Sequence, residues 1–143
     1  MAQTIVVGVD GSDGGAAALE FAAAEAALRE TRLRIVSAWE IPVAAYGAGG
    51  VPPLDPAALE AFRLRAEQVA DEAVTTVKRL QPSVEVEALT VTGQPADALL
   101  ANAADADLIV VGRRGLGGFK SLLLGSVSQQ VVHHASCPVV VVQ

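Results

Sequence analysis

Thr4-Ile5-Val6-Val7-Gly8-Val9 near the amino terminus and Leu108-Ile109-Val110-Val111 towards the carboxyl terminus are unbroken apolar runs of strand length. Such runs belong to interior strands of a parallel sheet whose two faces are both covered by helices, so both are placed at the centre. Leu33 to Trp39 and Val139 to Val142 supply two further strands. Val84-Glu85-Val86-Glu87-Ala88-Leu89-Thr90-Val91 begins with apolar and acidic residues in alternation, the pattern of a strand at a sheet edge.

Helical periodicity fills the intervals. From about Asp13 to Glu30, Leu19, Ala23, Ala26 and Ala27 share one side, and Glu25 stands four residues before Arg29. Asp55-Pro56 offers a cap followed by proline at the first helical position, after which Leu59, Phe62, Ala66, Val69, Ala73, Val77 and Leu80 recur at spacings of three and four. Pro82 ends that helix. A short helix from Pro95 to about Ala104 and a last one from Val127 to about Ala135 complete an alternation of five strands and four helices. The expected fold is α/β: a single domain over residues 1–143, an open doubly wound sheet with helices on both faces, and a ligand at the carboxyl ends of the strands where the winding reverses. Pro42 to Pro56, with three glycines and four prolines, reads either as a flap beside those ends or as a plain surface connection.

Composition narrows the functional classes. The 143 residues carry a net charge of −6, which disfavours nucleic acid as a partner, and Arg113, Arg114 and Lys120 form the tightest basic group. The longest apolar runs fall far short of the roughly 20 residues of a membrane helix, and the first residues carry no signal pattern, so a cytoplasmic protein is expected. The one cysteine, Cys137, reads as a spectator without a disulfide partner. Adjacent His133 and His134 point about 100° apart on a helix and are ill placed to share a metal. No serine or cysteine nucleophile has a recognisable base, so no catalytic group is named.

The chemistry lies in Gly112-Arg113-Arg114-Gly115-Leu116-Gly117-Gly118-Phe119-Lys120-Ser121-Leu122-Leu123-Leu124-Gly125-Ser126-Val127-Ser128, which leaves a buried strand and enters a helix. Glycine lets backbone approach a phosphate closely, and a helix amino terminus presents unpaired amides to an anion. Ser126 with Gln129 also reads as a capping box, which is compatible with phosphate binding. Phe119 ahead of Lys120-Ser121 departs from a P-loop, and the glycine spacing departs from the dinucleotide fingerprint.

The pattern glycine, two residues, glycine, nine residues, glycine, serine, formed by Gly112, Gly115, Gly125 and Ser126, resembles that of ATP-binding universal stress proteins. Val7-Gly8-Val9-Asp10-Gly11-Ser12 is similar to that family's first strand and acidic turn, and His134-Ala135-Ser136-Cys137-Pro138-Val139-Val140-Val141 to its closing helix and strand. The resemblance implies a Rossmann-like five-stranded parallel sheet in the order 3-2-1-4-5, with ATP across the ends of strands 1 and 4. It implies that Asp10 meets ribose or phosphates, with Val9 and Gly11 close by, and that the Ala38 backbone meets adenine. It also implies Gly112 near the ribose, amides of Gly115, Gly125, Ser126 and Val127 at the phosphates, and the Ser128 hydroxyl beside them. Arg113, Arg114 and Lys120 are expected to add counter-charge. A carboxylate beside a triphosphate repels it unless it meets hydroxyls or a divalent cation, so Mg²⁺ is expected at Asp10. Ser12 is expected to cap the first helix, and Ser37 stands where relatives often carry histidine.

Three readings remain: an ATP-binding regulator, an enzyme of pyrophosphatase type cleaving ATP, and an interaction protein that binds no nucleotide. Asp10-Gly11-Ser12-Asp13-Gly14-Gly15 has the place of the pyrophosphatase loop but the wrong order. The uncharged Val139 to Val142 edge predicts a homodimer through that strand.

Overall fold

Ile5, Val6 and Val7 are shut off from solvent, as are Ile109 and Val110, because helices cover both faces of the strands that carry them. The computed structural model of the chain describes residues 3–40, 55–113 and 124–143. In chain order these form β1 (Thr4–Val9), α1 (Asp13–Arg29), β2 (Arg32–Trp39), α2 (Pro56–Leu80), β3 (Val86–Thr92), α3 (Pro95–Ala101), β4 (Leu108–Gly112), α4 (Ser126–His134) and β5 (Val139–Val142). The sheet runs β3-β2-β1-β4-β5 with every neighbouring pair parallel. Ile5 stands opposite both Leu33 and Leu108, which fixes the register of the central three strands.

Alternation of side chains along these strands makes two cores. Ile5, Val7, Leu33, Ile35, Leu108 and Val110 pack with Leu19, Ala22, Ala26, Val69, Ala73 and Val77 on the side of α1 and α2. Val6, Val36, Ile109 and Val111 pack with Ala96, Leu99 and Val131 on the side of α3 and α4. The inner face of α1 is mostly alanine, and these small side chains let the helix lie close to the sheet. At its start the approach is closer still: a Cβ on Gly112 would stand 2.5 Å from the Gly14 carbonyl oxygen. Gly112 therefore has a packing reason to be glycine, independent of any ligand.

Local chemistry sets the helix ends. The Gly15 amide donates to the Ser12 hydroxyl oxygen at 3.1 Å, and the Ala57 amide to Asp55 at 3.1 Å with Pro56 in the first turn. Arg29 meets Glu25 at 3.5 Å. α3 stops at Ala101, short of the expected position, because the Asn102 side-chain amide donates to the Ala98 carbonyl at 2.7 Å and ends the helix. β3 starts two residues later than the alternation indicated, since the Val84 amide donates to Gln81 in the turn that leaves α2.

β3 forms one edge, where Arg34 of β2 bridges Glu87 at 2.6 Å and Asp105 at 2.8 Å. Glu87 occupies the edge strand itself, the kind of charge that blunts pairing with another chain. β5 forms the opposite edge, with all four valines half-buried. No helix among the described residues is long and apolar enough to cross a membrane.

Candidate functional site

At the carboxyl ends of β1, β2 and β4 the chain leaves the sheet on opposite faces, into α1 and α2 on one and towards α4 on the other. The divergence opens a cavity of about 490 Å³. Its wall includes Val9, Asp10, Ala38, Gly112, Arg113, Gly125, Ser126, Val127 and Ser128, so most of the residues singled out in the sequence converge on one place. Gly115, Arg114 and Lys120 lie outside the described residues, as does the Pro42 to Pro56 stretch up to residue 54.

The turn after β1 is braced from within. Asp10 Oδ1 accepts from the Ser12 amide at 2.9 Å and also from the Ser12 hydroxyl, while the same hydroxyl oxygen caps α1. Gly11 carries φ of +85°, a conformation that favours glycine. Gly14 and Gly15 belong to the first turn of α1, so this stretch opens a helix and does not form a separate phosphate loop.

Across the cavity the entry into α4 differs from the expected capping box. Gly125 is the N-cap, with extended backbone, and no side chain caps the helix. Ser126 is the first helical residue and is exposed. The turn is closed through the Arg113 carbonyl, which accepts from the Gly125 amide at 2.7 Å and from the Ser128 hydroxyl at 2.9 Å. That hydroxyl also lies 3.0 Å from the Gly125 carbonyl and is 1% exposed. Two expected ligand donors, the Gly125 amide and the Ser128 hydroxyl, are thus engaged in holding β4 to α4. The groups left to an anion are the amides of Ser126, Val127 and Ser128, which have no carbonyl partner one turn back within the helix.

Ser37 is part of the cavity lining, with its hydroxyl already engaged. Its buried hydroxyl donates to the Ala66 carbonyl at 2.8 Å and fastens α2 to β2 at the cavity floor. α2 itself contributes residues that the sequence did not single out: Phe62, Arg65, Ala66 and Val69 line the cavity, together with Trp39 and Glu40 after β2 and Gln94 before α3. Their helical spacing is visible in the sequence, but the cavity beside them exists only once α2 lies across β2 and β3. Among the described residues no cluster of three or more histidine, cysteine, aspartate or glutamate side chains is available to hold a metal. Cys137 lies away from the cavity wall, and burial, with Asp107 adding to it, pushes its thiol pKa up.

The universal stress protein family model matches residues 1–143, the whole of the chain. The chain belongs to the universal stress protein family. A Thermus aquaticus relative, "Universal stress protein in QAH/OAS sulfhydrylase 3'region", is 44% identical over 147 residues and both chains are covered completely. Universal stress proteins of Mycobacterium tuberculosis match at 35% over 138 residues, and this chain spans 44% of their length. Among solved structures, universal stress protein UspA from Lactobacillus plantarum superposes with a TM-score of 0.82 at 26% identity, covering 99% of this chain and 97% of its own. A universal stress protein solved in complex with cAMP superposes with a TM-score of 0.72 at 30% identity, again with 99% and 97% covered. The sheet order deduced from the resemblance is the order observed.

Proposed function

We propose that the chain binds an adenine nucleotide, ATP with Mg²⁺, across the ends of β1 and β4, and works as a stress-response regulator whose conformation or assembly follows occupancy. The observation that carries this reading is the cavity bounded on one side by Asp10 and Ser12 and on the other by the first amides of α4. The relative solved with cAMP supports an adenine nucleotide as the occupant.

In this reading Ala38 meets adenine through its backbone, while Val9, Asp10, Gly11 and Gly112 border the ribose. The amides of Ser126, Val127 and Ser128, with Gly115, take the phosphates, and Arg113 adds positive charge. The donor set fits a Mg²⁺ ion that phosphates help to hold, since the Asp10 carboxylate stands at the cavity wall and Mg²⁺ commonly binds through one or two carboxylates plus phosphate oxygens. When bound, the ion would offset phosphate charge beside Asp10. Donors and apolar walls hold a ligand, and the reading is of a binding module. β5 offers an uncharged edge to the β5 of a second copy, which gives a homodimer.

Calorimetric titration of ATP, ADP and AMP with Mg²⁺ into nucleotide-stripped protein tests this. Micromolar ATP affinity is expected, and no heat with any of the three overturns it.

A further inference from the structure

Arg65 is a cavity residue whose charge the proposed function leaves unused. It projects from the third turn of α2, and its guanidinium lies over the turn after β1: Arg65 Nη2 is 3.1 Å from the point where a Cβ on Gly11 would stand, with Cζ at 3.9 Å. The missing side chain at Gly11 makes that approach open. Val69 Cγ2, from the next turn of the same helix, is 3.3 Å from the same point, so the guanidinium and Val69 together cover the glycine.

The charge environment of Arg65 differs from that of Arg63 on the same helix and of Arg29 and Arg34 elsewhere. Arg63, two residues earlier, is tied to Glu60 and Glu67 on the outer surface. Arg34 is tied to Glu87 and Asp105, and Arg29 to Glu25. Arg65 is in no ion pair or hydrogen bond with a described residue, although Asp10 is one residue from the glycine it covers. Among the described residues lining the cavity, Arg65 and Arg113 are the cations, and they come from opposite walls. A guanidinium with open donors in a cavity that also receives helix amides matches a phosphate group, which accepts its paired N–H groups in one plane.

Resting on the nucleotide reading of this site, we infer that Arg65 is a phosphate-binding residue of the pocket, and that it sets the preference for nucleotides over the uncharged nucleoside. Hydrogen bonds to charged groups set the expected scale: losing this one weakens phosphate-bearing ligands about 10- to 100-fold.

The test measures affinities of ATP, AMP and adenosine for wild-type protein and for Arg65→Ala, Arg65→Lys and Arg63→Ala, followed through Trp39, the single tryptophan, at the cavity wall. Circular dichroism checks that each variant is folded, and Arg65→Lys keeps the question answerable should Arg65→Ala fail to fold. The expected result is that Arg65→Ala loses about 10- to 100-fold for ATP and AMP and less than about twofold for adenosine. Arg65→Lys should recover part of the loss, and Arg63→Ala should bind as wild type does. Unchanged AMP affinity in Arg65→Ala or Arg65→Lys overturns the inference while leaving the nucleotide site in place, as does an equal loss for AMP and adenosine, which would mean contact with the base. Wild-type protein that binds neither ATP nor AMP overturns the nucleotide reading and this inference with it.

Discussion

Replacing Gly112 by alanine tests whether the junction between β4 and α1 is as tight as described. The added Cβ would stand 2.5 Å from the Gly14 oxygen, 2.7 Å from its carbonyl carbon and 3.2 Å from its Cα. Ordinary van der Waals contact begins near 3.4 Å, so the first turn of α1 must retreat by about 1 Å. The obstacle is backbone at a helix start, which cannot turn aside as a side-chain tip can. Overpacking of this kind costs about 1–3 kcal/mol, which for a chain of this size lowers the melting temperature by about 3–10 °C. The retreat also carries the Asp10 to Ser12 turn away from Arg113, so nucleotide affinity falls with stability. Gly8→Ala is the control: its Cβ meets a methyl of Leu99 at 3.3 Å, and that side chain can shift. Urea unfolding followed by circular dichroism at 222 nm reads the cost without relying on the cavity tryptophan. A Gly112→Ala variant within about 0.5 kcal/mol of wild type, or a Gly8→Ala variant equally damaged, would refute the packing argument.

Other consequences are open to equally direct checks. Ser37→Ala removes the buried hydrogen bond to the Ala66 carbonyl and should cost about 1 kcal/mol in urea unfolding; no cost would mean that α2 is not fastened there. Ser12→Ala removes the cap of α1 and a donor to Asp10 together, with an expected loss of about 1 kcal/mol and weaker ATP binding by calorimetry. Val140→Lys places a charge on the β5 edge and should convert the proposed dimer to monomer in sedimentation velocity, with the fold retained. Burial raises the Cys137 pKa, which favours the protonated thiol in the folded state, so any stability tied to this group is lost as pH rises above the thiol pKa of the unfolded chain. Iodoacetamide at pH 8 should therefore alkylate the native protein more slowly than the urea-unfolded chain, and equal rates would contradict the burial of the thiol.

The order of elements was legible because each rests on local pattern: the apolar runs of β1 and β4, the acidic alternation at β3, and Asp55-Pro56 at the head of α2. The sheet order came from the resemblance, since periodicity alone does not say which strands are neighbours. At the site, Asp10, Gly112 and the α4 entry were legible from their motif, but their individual roles were not. Gly112 is constrained by Gly14, far from it in the chain, and the Gly125 amide and Ser128 hydroxyl are taken by the Arg113 carbonyl. Ser126 looked like a cap because serine precedes glutamine by three, yet the helix begins one residue earlier than that box requires. Arg65 was missed for a different reason. It and Arg63 read alike as solvated arginines on an amphipathic helix, and only the packing of α2 across β2 and β3 separates the paired one from the one facing the cavity.

The central claim is that an adenine nucleotide lies between the β1 turn and the first amides of α4. Titration of ATP and Mg²⁺ into ¹⁵N-labelled protein, observed in amide correlation spectra, tests it residue by residue. The largest shifts are predicted at Gly11, Ala38, Ser126, Val127 and Ser128, with β3 and the carboxyl half of α2 little changed. Spectra that do not respond to ATP, or responses confined to residues away from the cavity, would contradict the account.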